Sequence, residues 1–312
     1  MTDHSPVPER RVDIAVCTFR RKELEQTLVS LALMRRPEGV HLRAVVADND
    51  VTPSAAPRVE AARRLIGMEI VYVHAPAGNI SIARNACLDH CAADFVAFID
   101  DDETVDELWL VTLLEQADQT GAAAVLGPVK AHYRPDAPGW MRRGDFHSTR
   151  PVWVDGAIRT GYTCNVLLRL DSGAIAGRRF DLALGRSGGE DTAFFDAVHA
   201  AGGRIEFAAE AWVHEPVAKD RATFLWLARR RFRMGQTHGR ILADKYEGFS
   251  RLRQMGLAAT KCGFCAAVSL ALFPFRVRRY RYALRGALHA GAVAGLFGAR
   301  AIEQYGQLEN AA

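Results

Sequence analysis

Three consecutive aspartates, Asp100-Asp101-Asp102, stand directly after the apolar run Phe95-Val-Ala-Phe-Ile. Neighbouring carboxylates repel one another unless a cation sits among them. Asp100 and Asp102 are two residues apart, so in an extended segment both side chains can approach one hard cation from the same side. An acidic start to the helix expected from Asp106 needs only one or two of these charges. Other polar groups stand at comparable places. Asp48 ends Leu42-Arg-Ala-Val-Val-Ala, Glu190-Asp191 follow the glycine-rich stretch Gly185-Arg-Ser-Gly-Gly, and Arg84-Asn85 lie in a segment opened by Gly78. A nucleoside diphosphate accounts for the set. A divalent cation with oxygen ligands neutralises the diphosphate, Asp48 accepts from a base edge, Arg84 faces base or phosphates, and Asp191 deprotonates an incoming hydroxyl. Local roles compete at each position. Asp48 can cap a turn with Asn49 and Asp50, Glu190 and Asp191 suit a first helical turn, and His214 reads as a strand-end histidine. Asn165 and Trp153 are open between an acceptor groove and ordinary packing.

The elements that must position these groups follow from periodicity. Val12–Thr18, Leu42–Asp48, Glu69–Val73, Phe95–Ile99, Ala123–Leu126, Gly161–Arg169 and Ala211–Pro216 read as strands. Helical spacing marks Arg20–Met34, Ala56–Ile66, Gly78–Cys91, Asp106–Gln119, Thr192–Ala201 and Thr223–Leu242. Alternation every 20 to 30 residues predicts βαβ units, hence an α/β fold with a mostly parallel central sheet flanked by helices. The pattern breaks over 130–160, where proline and glycine predict a loop excursion across the sheet edge.

Charge is unevenly distributed. From Pro216 onward there are 17 Lys/Arg and 5 Asp/Glu, a balance of +12, against −8 for the remainder. Within this basic part, Cys262–Phe275 is uncharged, and the run Arg276-Val-Arg-Arg-Tyr-Arg281 follows Pro274. The apolar stretch is borderline for a spanning helix, which needs roughly 20 apolar residues. Arg anchors beside an apolar helix instead predict attachment to a membrane surface, and favour a membrane over nucleic acid as partner. The expected division is a disordered 1–11, a catalytic unit over 12–215, a basic helical segment over 216–255 and an apolar, membrane-associated tail over 256–312. The six cysteines show no disulfide framework, which points to a reducing compartment.

No G-x-G-x-x-G, G-x-x-x-x-G-K or G-x-S-x-G motif is present. The order Thr18, Val45-Val-Ala-Asp48, Ala83-Arg-Asn85, Asp100-Asp-Asp102, Gly189-Glu-Asp191 resembles glycosyltransferase family 2, with its GT-A fold, over about Val12–Gly239. It is most similar to the bacterial exopolysaccharide branch that includes succinoglycan-type glucosyltransferases. The resemblance implies that Thr18 and Asp48 hold the nucleobase with help from Arg84. It further implies that Asp100 and Asp101 sit on the nucleotide, that Asp102 and Asp100 bind Mn²⁺ or Mg²⁺, and that Asp191, with Glu190, forms the catalytic base. His214 corresponds more loosely to a further metal ligand. The Q-x-x-R-W motif of processive synthases is missing, so a single sugar addition is expected. Asp48-Asn49-Asp50 replaces the commoner D-D-G-S.

The expectation is therefore an inverting, metal-dependent hexosyltransferase. It would use a UDP-sugar donor and a lipid-linked or oligosaccharide acceptor at the cytoplasmic face of the inner membrane. Two alternatives stand beside it. A sugar-nucleotide pyrophosphorylase would carry a glycine-rich loop where Cys17-Thr-Phe-Arg-Arg-Lys22 stands. A non-catalytic nucleotide-binding scaffold of a membrane assembly would bind UDP without transfer.

Overall fold

The computed structural model describes residues 10–300 and 302. The elements in order are β1 (Arg10–Thr18), α1 (Leu24–Leu33), β2 (Val40–Asp48), α2 (Ala56–Leu65), β3 (Glu69–His74), α3 (Ile80–His90), β4 (Phe95–Asp100) and β5 (Thr104–Val105). Next come α4 (Trp109–Thr120), β6 (Ala124–Leu126), β7 (Val129–Tyr133), α5 (Gly139–Gly144), β8 (Trp153–Val154), β9 (Ala157–Ile158) and β10 (Asn165–Arg169). The chain continues through α6 (Glu190–Ala200), β11 (Ile205–Phe207), β12 (Val213–Val217), α7 (Phe224–Lys245), α8 (Gly248–Ala271) and α9 (Arg276–Leu296).

Seven strands form the main sheet in the order β11-β6-β10-β4-β1-β2-β3. All its pairings are parallel except those of β10, which runs antiparallel to both β4 and β6. The pleat divides the apolar strand residues between two cores. Val12, Ile14 and Val16 with Phe95, Ala97 and Ile99 meet Leu24, Leu28 and Leu31 of α1 and Trp109 and Leu113 of α4 on one face. Ala15, Val96 and Phe98 meet Ala83 and Cys87 of α3 and Phe195 of α6 on the other. Covering on both faces is what the unbroken apolar runs predict. The sheet matches the expectation, with β10 as its antiparallel member.

The differences lie at edges and in the loop region. Arg10 and Arg11 are not part of a disordered terminus: they open β1, in register with Val40 and His41 of β2. The remainder of that stretch, 1–9, lies outside the described residues. The 130–160 stretch is more ordered than a loop. It contains β7, α5 and the β8–β9 hairpin, and β7 joins β12 and β5 in a small second sheet. Its short strands fall below the length at which alternation can be read.

The basic and apolar segments form one helical unit. The expected boundary at 255/256 falls inside the continuous helix α8. Helices α7 and α9 run side by side at unusually close approach. A Cβ on Gly235 would lie 1.9 Å from Leu288 O, and one on Gly291 1.9 Å from Phe232 O. Only glycine lets backbones meet this closely. Among the described residues no helix is long and apolar enough to cross a membrane.

Candidate active site

The site lies at the carboxyl ends of β1, β2 and β4, where open α/β sheets receive their ligands. Thr18 and Asp48 are register partners at the ends of β1 and β2. Thr18 Oγ1 is buried near the Asp101 carboxyl, whose pKa it pulls down against the effect of burial. Asp48 is wholly buried: its Oδ1 accepts from Asp50 N (3.1 Å), and its Oδ2 from Ala55 N (2.8 Å) and Tyr72 OH (2.8 Å). The carboxylate therefore shapes the 49–55 loop. Asp50 is held by Arg20 Nε at 2.9 Å, and this guanidinium keeps the Asp50 carboxyl below the usual range.

The three aspartates end β4 and begin a tight turn. Glu103 closes it, accepting from Asp100 N at 3.0 Å while itself buried. Asp101 is also buried, its Oδ2 accepting from Phe19 N at 3.4 Å. Asp102 pairs with Arg21 Nη2 at 3.5 Å and Arg221 Nη1 at 3.6 Å. Burial pushes the Asp100 carboxyl up to about 7, against the pull of Arg84, and the Asp101 carboxyl up to about 8. Burial, with the charge of Asp100, drives Glu103 well above its ordinary value. So much acid with so little compensation fits a divalent cation, and the donors around Asp100 and Asp102 are the hard oxygens Mn²⁺ and Mg²⁺ prefer. Asp100, Glu103 and Cys164 also present ligand atoms within 4.8 Å of one another. The soft Cys164 sulfur suits Mn²⁺ or Mg²⁺ less well than the carboxylate oxygens do.

Arg84 does not reach out of the protein. From α3 it pairs with Glu190, and its Nη1 lies 2.7 Å from Asp191 Oδ1, with its guanidinium over the Phe180 ring. Glu190 and Asp191 open α6 behind Gly189, whose φ of +103° only glycine adopts easily. Glu190 is buried, and desolvation, with the charge of Asp191, pushes its carboxyl up. The Asp191 side chain is 24% exposed and accepts from Thr163 Oγ1 (3.1 Å) and Thr163 N (3.3 Å). Its charge adds to that of Asp102 and Glu215 in holding the Asp100 carboxyl up.

His214 is only partly brought in. It lines a groove of about 470 Å³ with Asp102, but both ring nitrogens are engaged, by His132 Nε2 and by Asp106 Oδ1, each at 2.7 Å. Strand alternation sends the next residue to the opposite face. There Glu215 accepts from Arg221 Nη1 at 3.1 Å, within electrostatic reach of Asp102. Asn165 is wholly buried and lines no groove: it ties Trp109 Nε1, Pro128 O and Ala211 O together at 2.8–2.9 Å. Trp153 is exposed on β8, edge-on to Phe207. Sequence reasoning missed Arg21, Glu103, Thr163, Glu215 and Arg221. Glu103 carried a signal as a fourth acid in the run; Arg221 sits in a loop with none.

Residues 13–182 match the sequence profile of Glycosyl transferase family 2. The chain belongs to glycosyltransferase family 2. It is a glycosyltransferase, which sets aside the pyrophosphorylase and scaffold readings. The transferase is 60% identical over 298 residues to succinoglycan biosynthesis protein ExoM of Rhizobium meliloti (strain 1021), covering 96% of each chain. It is 24% identical over 245 residues to glucosyl-dolichyl phosphate glucuronosyltransferase of Haloferax volcanii, covering 72% of this chain and 75% of that one. Its fold is similar to that of a mannosyltransferase from Pyrobaculum calidifontis solved with GDP-Man and Mn²⁺. There the TM-score is 0.65 at 17% identity, over 95% of this chain and 89% of that one. S. aureus TarS 1-349 with UDP-GlcNAc gives a TM-score of 0.51 at 16% identity, over 93% and 92%. At these identities the likeness speaks to the fold, which is GT-A.

Proposed function

We propose that this transferase moves a single hexose from a UDP-sugar to a lipid-linked glycan in succinoglycan-type polysaccharide synthesis, with inversion at the anomeric carbon. One observation carries the reading. Asp191 is the open member of a carboxylate pair whose buried member, Glu190, is tied to Arg84, and its charge reaches Asp100 of the acidic turn. The acceptor hydroxyl gives its proton to the Asp191 carboxylate as its oxygen attacks the anomeric carbon. The bond from that carbon to the diphosphate oxygen breaks on the far side, and the nucleoside diphosphate leaves with the electron pair. Thr163 and Arg84 hold Asp191 in position, and Glu190 holds Arg84.

Thr18, at the end of β1 beside Asp48, is placed to meet the base, and Asp48 retains acceptor capacity on Oδ1. Asp100 and Asp102 would hold the divalent cation, which when bound offsets charge on the departing diphosphate. Asp101 backs the turn, and Arg21 and Arg221 supply fixed positive charge beside it. His214 stays with His132 and Asp106. The ExoM likeness over nearly the whole chain supports the polysaccharide, and the missing Q-x-x-R-W run supports one addition per encounter.

The test offers a panel of UDP-sugars and a native lipid extract to the protein, with and without Mn²⁺ or Mg²⁺. Cation-dependent labelling of lipid by one UDP-sugar is expected, lost in Asp102→Asn. Transfer that is indifferent to cations, or that retains the anomeric configuration, would sink the proposal.

A further inference from the structure

The transfer reaction leaves the outer side of the C-terminal helical unit unexplained. Helix α8 buries one narrow stripe, including Ala258 and Cys265, against α9. Its opposite face is apolar and open. Phe249 is 82% exposed, Phe264 62% and Leu270 76%, and the turn into α9 adds Phe273 at 68% and Phe275 at 58%. Exposed apolar patches of this extent mark an interaction surface. The charge around it has one sign. From Gly248 to Arg300 the chain holds nine Lys/Arg and no Asp or Glu. Arg253, Lys261, Arg276, Arg278 and Arg281 are exposed.

We propose that the outer face of α8, together with the Phe273–Arg281 turn, binds the surface of a bilayer containing anionic lipids. Such a surface meets both properties at once: acyl chains take the Phe and Leu side chains, and headgroup phosphates take the Arg and Lys charges. A protein partner would need an apolar groove rimmed entirely by acid. Since no described helix can span a membrane, α8 lies in the plane, along about 36 Å for its 24 residues. The orientation serves the reaction. The α8–α9 turn leads to Tyr280, which packs on Trp140 (4.2 Å between ring centres) and on Phe224 (5.1 Å). Phe224 begins α7 just after Arg221, the partner of Asp102. The membrane-facing turn and the acidic cleft thus lie at the same end of the helical unit. This deepens the lipid-linked acceptor reading and rests on it for its purpose, though not for the binding itself.

The experiment floats the full chain with vesicles of phosphatidylcholine alone and of phosphatidylcholine with phosphatidylglycerol. Partition onto the anionic vesicles is expected to be at least about tenfold greater and to fall with added salt. Phe264→Glu combined with Leu270→Glu should lower it by about tenfold, and Arg276→Ser with Arg278→Ser should remove the preference for anionic lipid. Because these side chains are exposed, thermal unfolding and UDP-sugar binding should match the unaltered protein. Equal partition to both vesicles, or undiminished binding by the Phe264→Glu/Leu270→Glu protein, overturns the proposal. A lipid-free, concentration-dependent dimer that the same substitutions abolish also overturns it, because the face then belongs to a second copy. Vesicle binding without any sugar transfer counts against the proposed donor and acceptor alone. Transfer to a soluble acceptor without vesicle binding counts against docking alone.

Discussion

Arg84 Nη1 and Asp191 Oδ1 stand 2.7 Å apart, and the same guanidinium also holds the buried Glu190. One cation therefore sets the position of two adjacent carboxylates with different access to solvent. Glu190 is buried. Asp191, steadied on its other side by Thr163, keeps its side chain 24% exposed. The relationship is the basis for proposing proton transfer at Asp191 and a positioning role for Glu190.

Asp191→Asn keeps the shape of the side chain and removes its basicity. Turnover is expected to fall by about 10²–10⁴-fold. The dissociation constant for the UDP-sugar, read by calorimetry, should change little, since Asp191 faces the acceptor. Full turnover in that variant would show that the base lies elsewhere.

Arg84→Ala leaves Glu190 ionisable, buried and unpaired. Removing one partner of a buried pair costs about 3–5 kcal/mol. The denaturation midpoint should drop accordingly, and adding Glu190→Gln should recover part of the loss. If Arg84→Ala unfolds at the same denaturant concentration as the parent, the pair contributes nothing to the fold.

Asn165 joins the β6–β7 loop, α4 and the segment before β12 through three buried bonds. Asn165→Leu, close in volume, strands Trp109 Nε1 and two carbonyls. A loss of about 3 kcal/mol or more is expected from groups costing about 1–3 kcal/mol each. An acceptor-groove role would instead raise KM while leaving the melting temperature unchanged.

His147 gives the protein an acid-sensitive joint. It is buried, with Nδ1 3.0 Å from Tyr133 OH and Nε2 3.1 Å from Arg221 O, stacked against Trp226. Burial lowers its pKa to about 4. The unfolded chain therefore takes up a proton below about 6.5 that the folded chain refuses until about 4. Its contribution is intact above pH 6.5 and is lost as pH falls toward 4, about 3 kcal/mol by that point. The difference in unfolding free energy between His147→Gln and the parent should shift by that amount between pH 7 and pH 4. A constant difference would show that His147 titrates normally.

Most of the strand and helix order, the parallel sheet and the acidic turn were legible in the sequence, because they depend on periodicity and on residue type within one short segment; the three-residue edge strand Ile205–Phe207 and the short elements between Val129 and Ile158 were too brief to show a pattern. Phe95–Asp100 had to be a covered strand whichever neighbours it found, and Asp100–Asp102 had to end it. The family motifs likewise lie within short runs. Tertiary structure alone decided the pairings. No local pattern links Arg84 to Glu190 across 106 residues, or Asp102 to Arg221, because such contacts depend on how separate elements stack. Whether His214 or Glu215 turns toward the Arg221 side of β12 depended on a register that a five-residue strand cannot declare by itself. Composition pointed the apolar tail toward a membrane surface, but only the position of α9 shows which side of α8 is left uncovered.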